Sequence, residues 1–447
     1  MEEQDKLNKI LSLVSDYIED KKSKKEWKEG VDWVQYAGPR FDASEYCQAI
    51  SSLLGGWLAL ADQGIRFERA FPKFLGKSHG TLTNSGSSAN LLMLSALMSS
   101  KTYNLQKGAK VLTPVAGFPT TINPIIQLGF EPIFVDIDLP SLNMNLDQVE
   151  DIIKRENIQV IMFAHSLGNP PNMLRLMEIV KDNNIILLED CCDALGSRYD
   201  NSPLGSFGEM ASCSFYPAHH ITMGEGGFVA SQSVEQERIV RSFRDWGRGC
   251  YCVGQKATQL ENGTCKKRFD TWLPSQQGVI FDHKYVYEEI GYNLKPIELQ
   301  AAIGLEQIKK IDEITKFRKQ NFARLYKIFE KYSDYFFLPS ATLKSDPSWF
   351  AFPLTIKDSS RLPRDKFTRF LESHKIQTRT YFGGNILLQP AFSQFSTTSC
   401  PSLDFPNATK VTRDTFFLGT SPVVTVEQLD YIEKIVDKFF DNRLIVI

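Results

Sequence analysis

The chain has 447 residues, enough for one large domain and a smaller one. A hydrophobic content of 42% and a charged content of 23% are those of an ordinary globular protein, and a net charge of −2 leaves no electrostatic footprint for nucleic acid or an anionic membrane. No apolar run reaches the roughly 18 residues of a membrane span, and the polar start Met1-Glu2-Glu3-Gln4-Asp5-Lys6 lacks the apolar core of a secretory leader, so a cytoplasmic setting is expected.

Near the N-terminus, Leu7, Ile10, Leu11, Val14 and Ile18 recur at helical spacing. They predict a helix with one apolar stripe, packed on the C-terminal domain or on a partner subunit. The run Lys21-Lys22-Ser23-Lys24-Lys25 reads as its solvated end. Residues 1–35 are assigned to this segment, 36–310 to a large domain, and 311–447 to a linking helix and a small α+β domain. Asp42 is a cap candidate for the next helix. The stretch 81–93 then reads as strand, small-residue turn and helix. Its Ser85-Gly86-Ser87-Ser88 turn opens a helix N-terminus, whose free N–H groups and positive dipole end suit phosphate.

Between 110 and 240, short continuous apolar runs alternate with helical patterns; examples are 132–135, 160–164, 185–188 and 227–230. Continuous runs suit strands buried on both faces, and the intervening helices predict an α/β fold with a mostly parallel sheet. Sites in such sheets lie beyond the strand carboxyl ends, where Ser87, Phe118 and Asp190 would fall. Residues 245–290 are rich in Gly, Cys, Arg and aromatics and lack periodicity, which reads as a long functional loop. Helical patterning from Pro296 to about 333 predicts one long helix joining the two domains.

The stretch Ser212-Cys213-Ser214-Phe215-Tyr216-Pro217-Ala218-His219, followed by Glu225-Gly226-Gly227, resembles the cofactor-lysine segment of the DegT/DnrJ/EryC1 family of sugar aminotransferases. That family has fold type I and uses pyridoxal phosphate (PLP). Here the spacing is kept, but His219 stands where the lysine belongs. Imidazole cannot tether the cofactor as a Schiff base, although it moves protons near neutral pH. His220 is its nearest rival, one position out of register.

The resemblance also implies roles for other residues. Glu189-Asp190-Cys191-Cys192-Asp193 matches the family pattern in which the aspartate pairs with the protonated pyridine nitrogen. Asp190 takes that role and Asp193 joins the cofactor set, although an aspartate after a strand also serves as a helix cap. Ser87, Ser88 and Ser214 match the phosphate-binding positions. Phe118 matches the aromatic that stacks on the ring, its alternative being a core phenylalanine. Asn293 matches an asparagine that reaches the phosphate from the neighbouring subunit, so a homodimer is implied. Arg248, Lys284, Arg379 and Asn385 are candidates for substrate contacts.

Four of the eight cysteines, Cys192, Cys250, Cys252 and Cys265, suit either Zn²⁺ or an iron–sulfur cluster. With the histidine they resemble one group of the family, the CDP-6-deoxy-L-threo-D-glycero-4-hexulose-3-dehydrases, which bind a [2Fe-2S] cluster. The group's spacing favours Cys192 over Cys191, whereas the gap from Cys252 to Cys265 is longer than its pattern. Cys47, Cys213 and Cys400 are read as small buried apolar residues. The resemblance implies that pyridoxamine 5'-phosphate (PMP) rests untethered in the site and that His219 is a base at the cofactor C4′. It further implies C3 dehydration of a nucleotide-linked 4-keto-6-deoxyhexose, such as CDP-4-keto-6-deoxyglucose. An NAD(P)H-dependent reductase would supply electrons through the cluster. An aminotransferase and a cluster-free PMP dehydratase are the competing enzymes, and a catalytically dead scaffold with structural zinc is the competing non-enzyme.

Overall fold

In the computed structural model, which describes residues 2–24, 26–252, 259–395 and 400–441, the apolar runs assemble into one seven-stranded sheet. Its strands are β1 (His79–Thr83), β2 (Lys110–Pro114), β3 (Glu131–Val135), β4 (Ile158–Ala164), β5 (Ile186–Asp190), β8 (Met210–Ser214) and β9 (Gly227–Ser231). Their order is β1-β9-β8-β5-β4-β2-β3, and only β9 runs against the rest. Along β4, Ile161 and Phe163 enter one core while Val160 and Met162 enter the other. Both faces are therefore dry, which is why these strands read as continuous rather than alternating runs. Helices α1 (Glu3–Ser23), α2 (Ala43–Leu54), α3 (Asp62–Ala70), α4 (Gly86–Met98), α5 (Pro119–Gln127), α6 (Leu146–Arg155), α7 (Met173–Asp182) and α8 (Val234–Arg244) precede, connect and cover the strands.

The expected single linking helix is two helices, α9 (Glu298–Ile308) and α10 (Ile311–Glu330). Polar anchors at the α2 cap hold the break. Gln307 Nε2 donates to Glu45 Oε1 at 2.7 Å, and the Lys310 ammonium lies 2.8 Å from Asp42. Asp42 itself caps α2 through the Ser44 amide, as the sequence predicted. Within the chain the N-terminal helix packs on the large domain rather than on the C-terminal one: α1 lies on α2, where the Cys47 thiol donates to Leu11 O at 3.5 Å. The segment after it is what reaches the C-terminal unit, with Val34 in that core and Trp27 edge-on to Tyr431 at 5.5 Å.

The C-terminal unit is a four-stranded antiparallel sheet ordered β12-β14-β16-β15, made of β12 (Phe336–Phe337), β14 (Ala351–Ile356), β15 (Arg379–Thr380) and β16 (Thr415–Gly419). Phe329, Phe336, Phe352, Phe367, Phe416 and Phe439 interlock under it, so one aromatic core fixes the sheet to the second half of α10. A small sheet ties the two units together. In it, β13 (Ser345–Asp346) pairs with β6 (Arg198–Tyr199), which pairs with β7 (Ser202–Pro203). The described residues of the 245–290 stretch are mostly turns and irregular segments around one short pair, β10 (Phe269–Asp270) and β11 (Phe281–Asp282). Among the described residues, no helix is long and apolar enough to cross a membrane.

Candidate active site

A cavity of about 520 Å³ opens where β2, β4, β5 and β8 end and α4 begins. It has the position expected of a ligand site in a parallel sheet. Asp190, at the end of β5, is nearly buried in its floor. Three donors aim its carboxylate: Asn90 Nδ2 at 2.7 Å, Thr121 Oγ1 at 2.8 Å and the Cys192 amide at 3.1 Å. Ser212 Oγ fixes Asn90 in turn at 2.6 Å. Asn90 and Thr121 were not singled out from the sequence; both sit inside helical patterns whose apolar periodicity hides a polar residue facing the floor.

The turn before α4 forms one rim. Ser85 caps the helix by accepting from the Ser88 amide at 3.1 Å, and Gly86 and Ser87 border the cavity beside Ser214. A Cβ on Gly86 would stand 2.5 Å from Ser214 Cβ and 3.0 Å from Cys192 Sγ, so only glycine allows this approach. Gly227 is equally constrained, its Cβ position lying 2.2 Å from Ser85 O. The result is a tight cradle of amides and hydroxyls at a helix N-terminus, which fits the phosphate of a pyridine cofactor, with Asp190 placed for the ring nitrogen. Ser88 is a correction. Its hydroxyl lies 3.0 Å from Ser85 Oγ within the cap and does not border the cavity.

His219 lies on the loop after β8, with its ring bordering the cavity. Its Nδ1 stands 3.3 Å from Asp193 Oδ1, out of line for a well-formed hydrogen bond. That leaves Nε2 for the cavity. Burial pushes the Asp193 carboxyl up and His219 draws it back. The Phe350 ring is tilted against the imidazole at 5.4 Å. His220 is no rival. It is buried, and its Nε2 is tied to Ser348 O. Burial also drives its pKa well down, with Arg318 adding to the effect, so it stays neutral. Among the described residues, the cavity lining holds no lysine.

Phe118 borders the cavity half-exposed, edge-on to Phe382 at 5.7 Å, so it is not a core residue. Arg379 lies at the mouth, its guanidinium 4.4 Å from the Tyr36 ring. The other substrate candidates lie elsewhere. Asn385 is buried and donates to Pro401 O and Thr409 Oγ1, both at 3.2 Å. Neither Arg248 nor Lys284 borders the cavity, and exposed Asn293 stands outside it, paired with Asp245.

The cysteines divide. Cys250 and Cys252 lie two residues apart in the loop and influence each other's ionisation. A Cβ on Gly263 would stand 3.3 Å from Cys252 Sγ and 3.8 Å from Cys265 Sγ. Cys252 Sγ accepts from the Thr264 amide at 3.3 Å and lies 3.0 Å from Thr264 Oγ1. Burial raises its pKa, but these hydrogen bonds outweigh it and the net shift is downward, which favours thiolate. Cys192 sits in the cavity floor, and burial followed by the Asp190 charge holds its thiol well above the ordinary range. Among the described residues no three of Cys192, Cys250, Cys252 and Cys265 lie within 4.8 Å of one another. Cys192 lies two residues after Asp190, and the loop is pinned by the Gly249 amide on Val286 O and by Arg268 on Asp282. Of the other cysteines, Cys191 and Cys213 are buried in the core and Cys47 and Cys400 are partly exposed. Among the described residues, the one trio of metal-ligand type within 4.8 Å is His165, Glu189 and Cys191, and Glu189 is spent there on backbone amides.

The sheet order, the cradle at α4 and the aspartate at the end of β5 define a fold-type I PLP-dependent enzyme. The sequence profile of the DegT/DnrJ/EryC1/StrS aminotransferase family matches residues 40–437, and the chain belongs to that family. It is 42% identical to the lipopolysaccharide biosynthesis protein RfbH of Salmonella typhimurium, over 96% of this chain and 97% of that one. It is 40% identical to the dTDP-4-dehydro-2,6-dideoxy-D-glucose 3-dehydratase of Saccharopolyspora spinosa, over 97% and 92% of the two chains. Among solved structures it is similar to Escherichia coli GDP-4-keto-6-deoxy-D-mannose-3-dehydratase with bound hydrated PLP. The TM-score is 0.78 at 27% identity, covering 90% of this chain and 99% of that one.

Proposed function

We propose that the chain is a PMP-dependent dehydratase that removes the C3 hydroxyl of a nucleotide-linked 4-keto-6-deoxyhexose. The observation that carries this reading is His219 at the lysine position of a cavity whose described lining holds no lysine. An aminotransferase needs that lysine to cycle its cofactor between aldehyde and amine. The relatives named as sugar 3-dehydratases support the substrate class.

When bound, PMP supplies an amine that condenses with the sugar ketone and a ring that accepts electrons. The chain supplies the rest. The α4 cradle holds the phosphate, and Asp190, aimed by Asn90 and Thr121, keeps a proton on the ring nitrogen. His219 takes a proton at C4′ through Nε2, while Asp193 stabilises the imidazolium from the Nδ1 side. Phe118 and Tyr216 flank the opening, and Arg379 is placed for the diphosphate of the nucleotide. Replacing His219 with Asn is expected to leave PMP affinity within about threefold while slowing C4′ hydrogen exchange at least about 10²-fold with a 4-keto sugar nucleotide. Exchange at the wild-type rate would remove His219 from the role of base. Transfer of an amino group from glutamate to the sugar would favour the aminotransferase instead.

The loop thiols carry the second part of the proposal. Cys250, Cys252 and Cys265, with Cys192 from the cavity floor as fourth thiol, have the chemistry to hold iron, and a [2Fe-2S] cluster on them would supply single electrons from an NAD(P)H-dependent reductase. Anaerobic purification is expected to return iron and acid-labile sulfide in equal amounts. Zinc without sulfide would leave a dehydratase with a structural metal.

A further inference from the structure

Arg318 lies in α10, far in sequence from every residue of the site, and is 1% exposed. Among the described residues it has no carboxylate within ion-pair distance. A buried guanidinium without one is expensive, and an apolar side chain would fill the space at less cost. Burial pulls its pKa down to about 10 while Asp193 opposes the shift, so it is charged at neutral pH.

Its donors go to two parts of the molecule. Nη2 donates to His219 O at 3.2 Å and to Ala218 O at 3.3 Å. Nη1 donates to Phe350 O at 2.9 Å, Trp349 O at 3.4 Å and Thr420 Oγ1 at 3.5 Å. Ala218 and His219 belong to the loop that carries the base. Trp349 and Phe350 lead into β14 and Thr420 follows β16, so these acceptors belong to the C-terminal sheet. Thr420 Oγ1 also donates to Trp349 O at 2.6 Å, which closes the ring of contacts. The same Phe350 whose carbonyl is held packs its ring on the imidazole. One rigid planar group thus fixes the backbone of His219 and the aromatic surface against which its ring rests. A fork of this shape can do so where a lysine, a single point donor, reaches one set of acceptors.

We propose that Arg318 is the positioning residue for His219, locking the loop of the base to the ends of the two central strands of the C-terminal sheet so that imidazole and sheet keep one geometry. This rests on the reading of His219 as the base at C4′.

The test uses full-length protein loaded with PMP, with Arg318→Met and Arg318→Lys beside His219→Asn. Thermal unfolding and PMP titration report fold and cofactor binding. C4′ hydrogen exchange is measured against the concentration of a 4-keto-6-deoxy sugar nucleotide. A misplaced reacting group costs up to about 10²-fold, so Arg318→Met is expected to lower the maximal exchange rate by that order. The PMP Kd and the half-saturating sugar concentration should stay within about threefold, and Arg318→Lys should recover part of the rate. Exchange by a folded Arg318→Met protein within threefold of wild type overturns the proposal. So does a change confined to Kd or half-saturation, which marks a disturbed pocket rather than a misplaced base. If the Met variant does not fold, Arg318→Gln takes its place under the same two criteria. Wild-type exchange by His219→Asn would instead sink the reading of the base itself, so the two failures are distinguishable.

Discussion

At the scale of single residues, the site is built by second partners rather than by the residues that face the cavity. Asp190 has a fixed direction because Asn90 and Thr121 both donate to its Oδ2 from different helices. Thr121 lies beside the aromatic turn at Phe118, so one hydroxyl ties the end of β5 to the α5 side of the cavity. Replacing Thr121 with Val keeps the volume and removes a buried donor to a charged acceptor, a loss of about 1–3 kcal/mol. The expected outcome is a PMP Kd raised by about tenfold with the fold retained, read by titration of the bound cofactor's absorbance. Unchanged affinity would mean that Asn90 alone aims the carboxylate. Asp190 was legible because a motif with fixed spacing marks it, and Thr121 was not, because a threonine in Pro119-Thr120-Thr121-Ile122 looks like any helix-start residue.

At the scale of elements, what the sequence disclosed depends on whether the determinant was local. The strands of the large sheet were readable because each lies between two cores and must be apolar throughout, as Val160–Phe163 are. The Ser85–Ser88 turn was readable as an anion cradle, but its chemistry is divided. Ser88 is consumed by the cap, and Gly86, which as a bare glycine says little, decides whether the helix can approach Ser214 at all. The break between α9 and α10 was hidden because no Gly or Pro marks it; Gln307 and Lys310 hold it by reaching α2, more than 250 positions away in sequence. The cysteines show the same limit. Spacing pointed to four ligands, but spacing along the chain carries no information on how near the Cys192 thiol comes to those of the loop. His219 and Asp193 are 26 positions apart, and the strand and loop geometry that brings them to 3.3 Å is not written in either motif.

At the scale of the whole molecule, the buried charges divide between those that serve the site and those that hold the fold, and Glu189 belongs to the second kind. It is fully buried, one residue before Asp190, and faces the opposite side of the sheet. Its carboxylate accepts from the amides of Gly205 at 3.0 Å, Phe207 at 2.8 Å and Gly208 at 2.6 Å, and lies 3.0 Å from His165 Nε2. Burial alone would raise its pKa, but these hydrogen bonds outweigh it and folding lowers the value. A carboxyl whose pKa falls on folding binds its proton more readily in the unfolded chain. Its stabilisation is therefore complete above the ordinary range of an unfolded glutamate, about 4.3, and is lost as pH falls through the lower folded value. Glu189→Gln keeps the size and discards the charge, leaving three amides with a weaker acceptor. At pH 7 the variant is expected to unfold at lower urea, by about 1.5–3 kcal/mol for hydrogen bonds to a charged group. As pH falls from about 5 through the lower folded value its midpoint should fall less than that of the wild type, because the group that loses its charge in acid is no longer there. Equal slopes for the two proteins would show that Glu189 carries no share of the acid sensitivity, and would move that role to the Glu68, Arg241, Arg244 and Asp245 network at the far edge of the sheet.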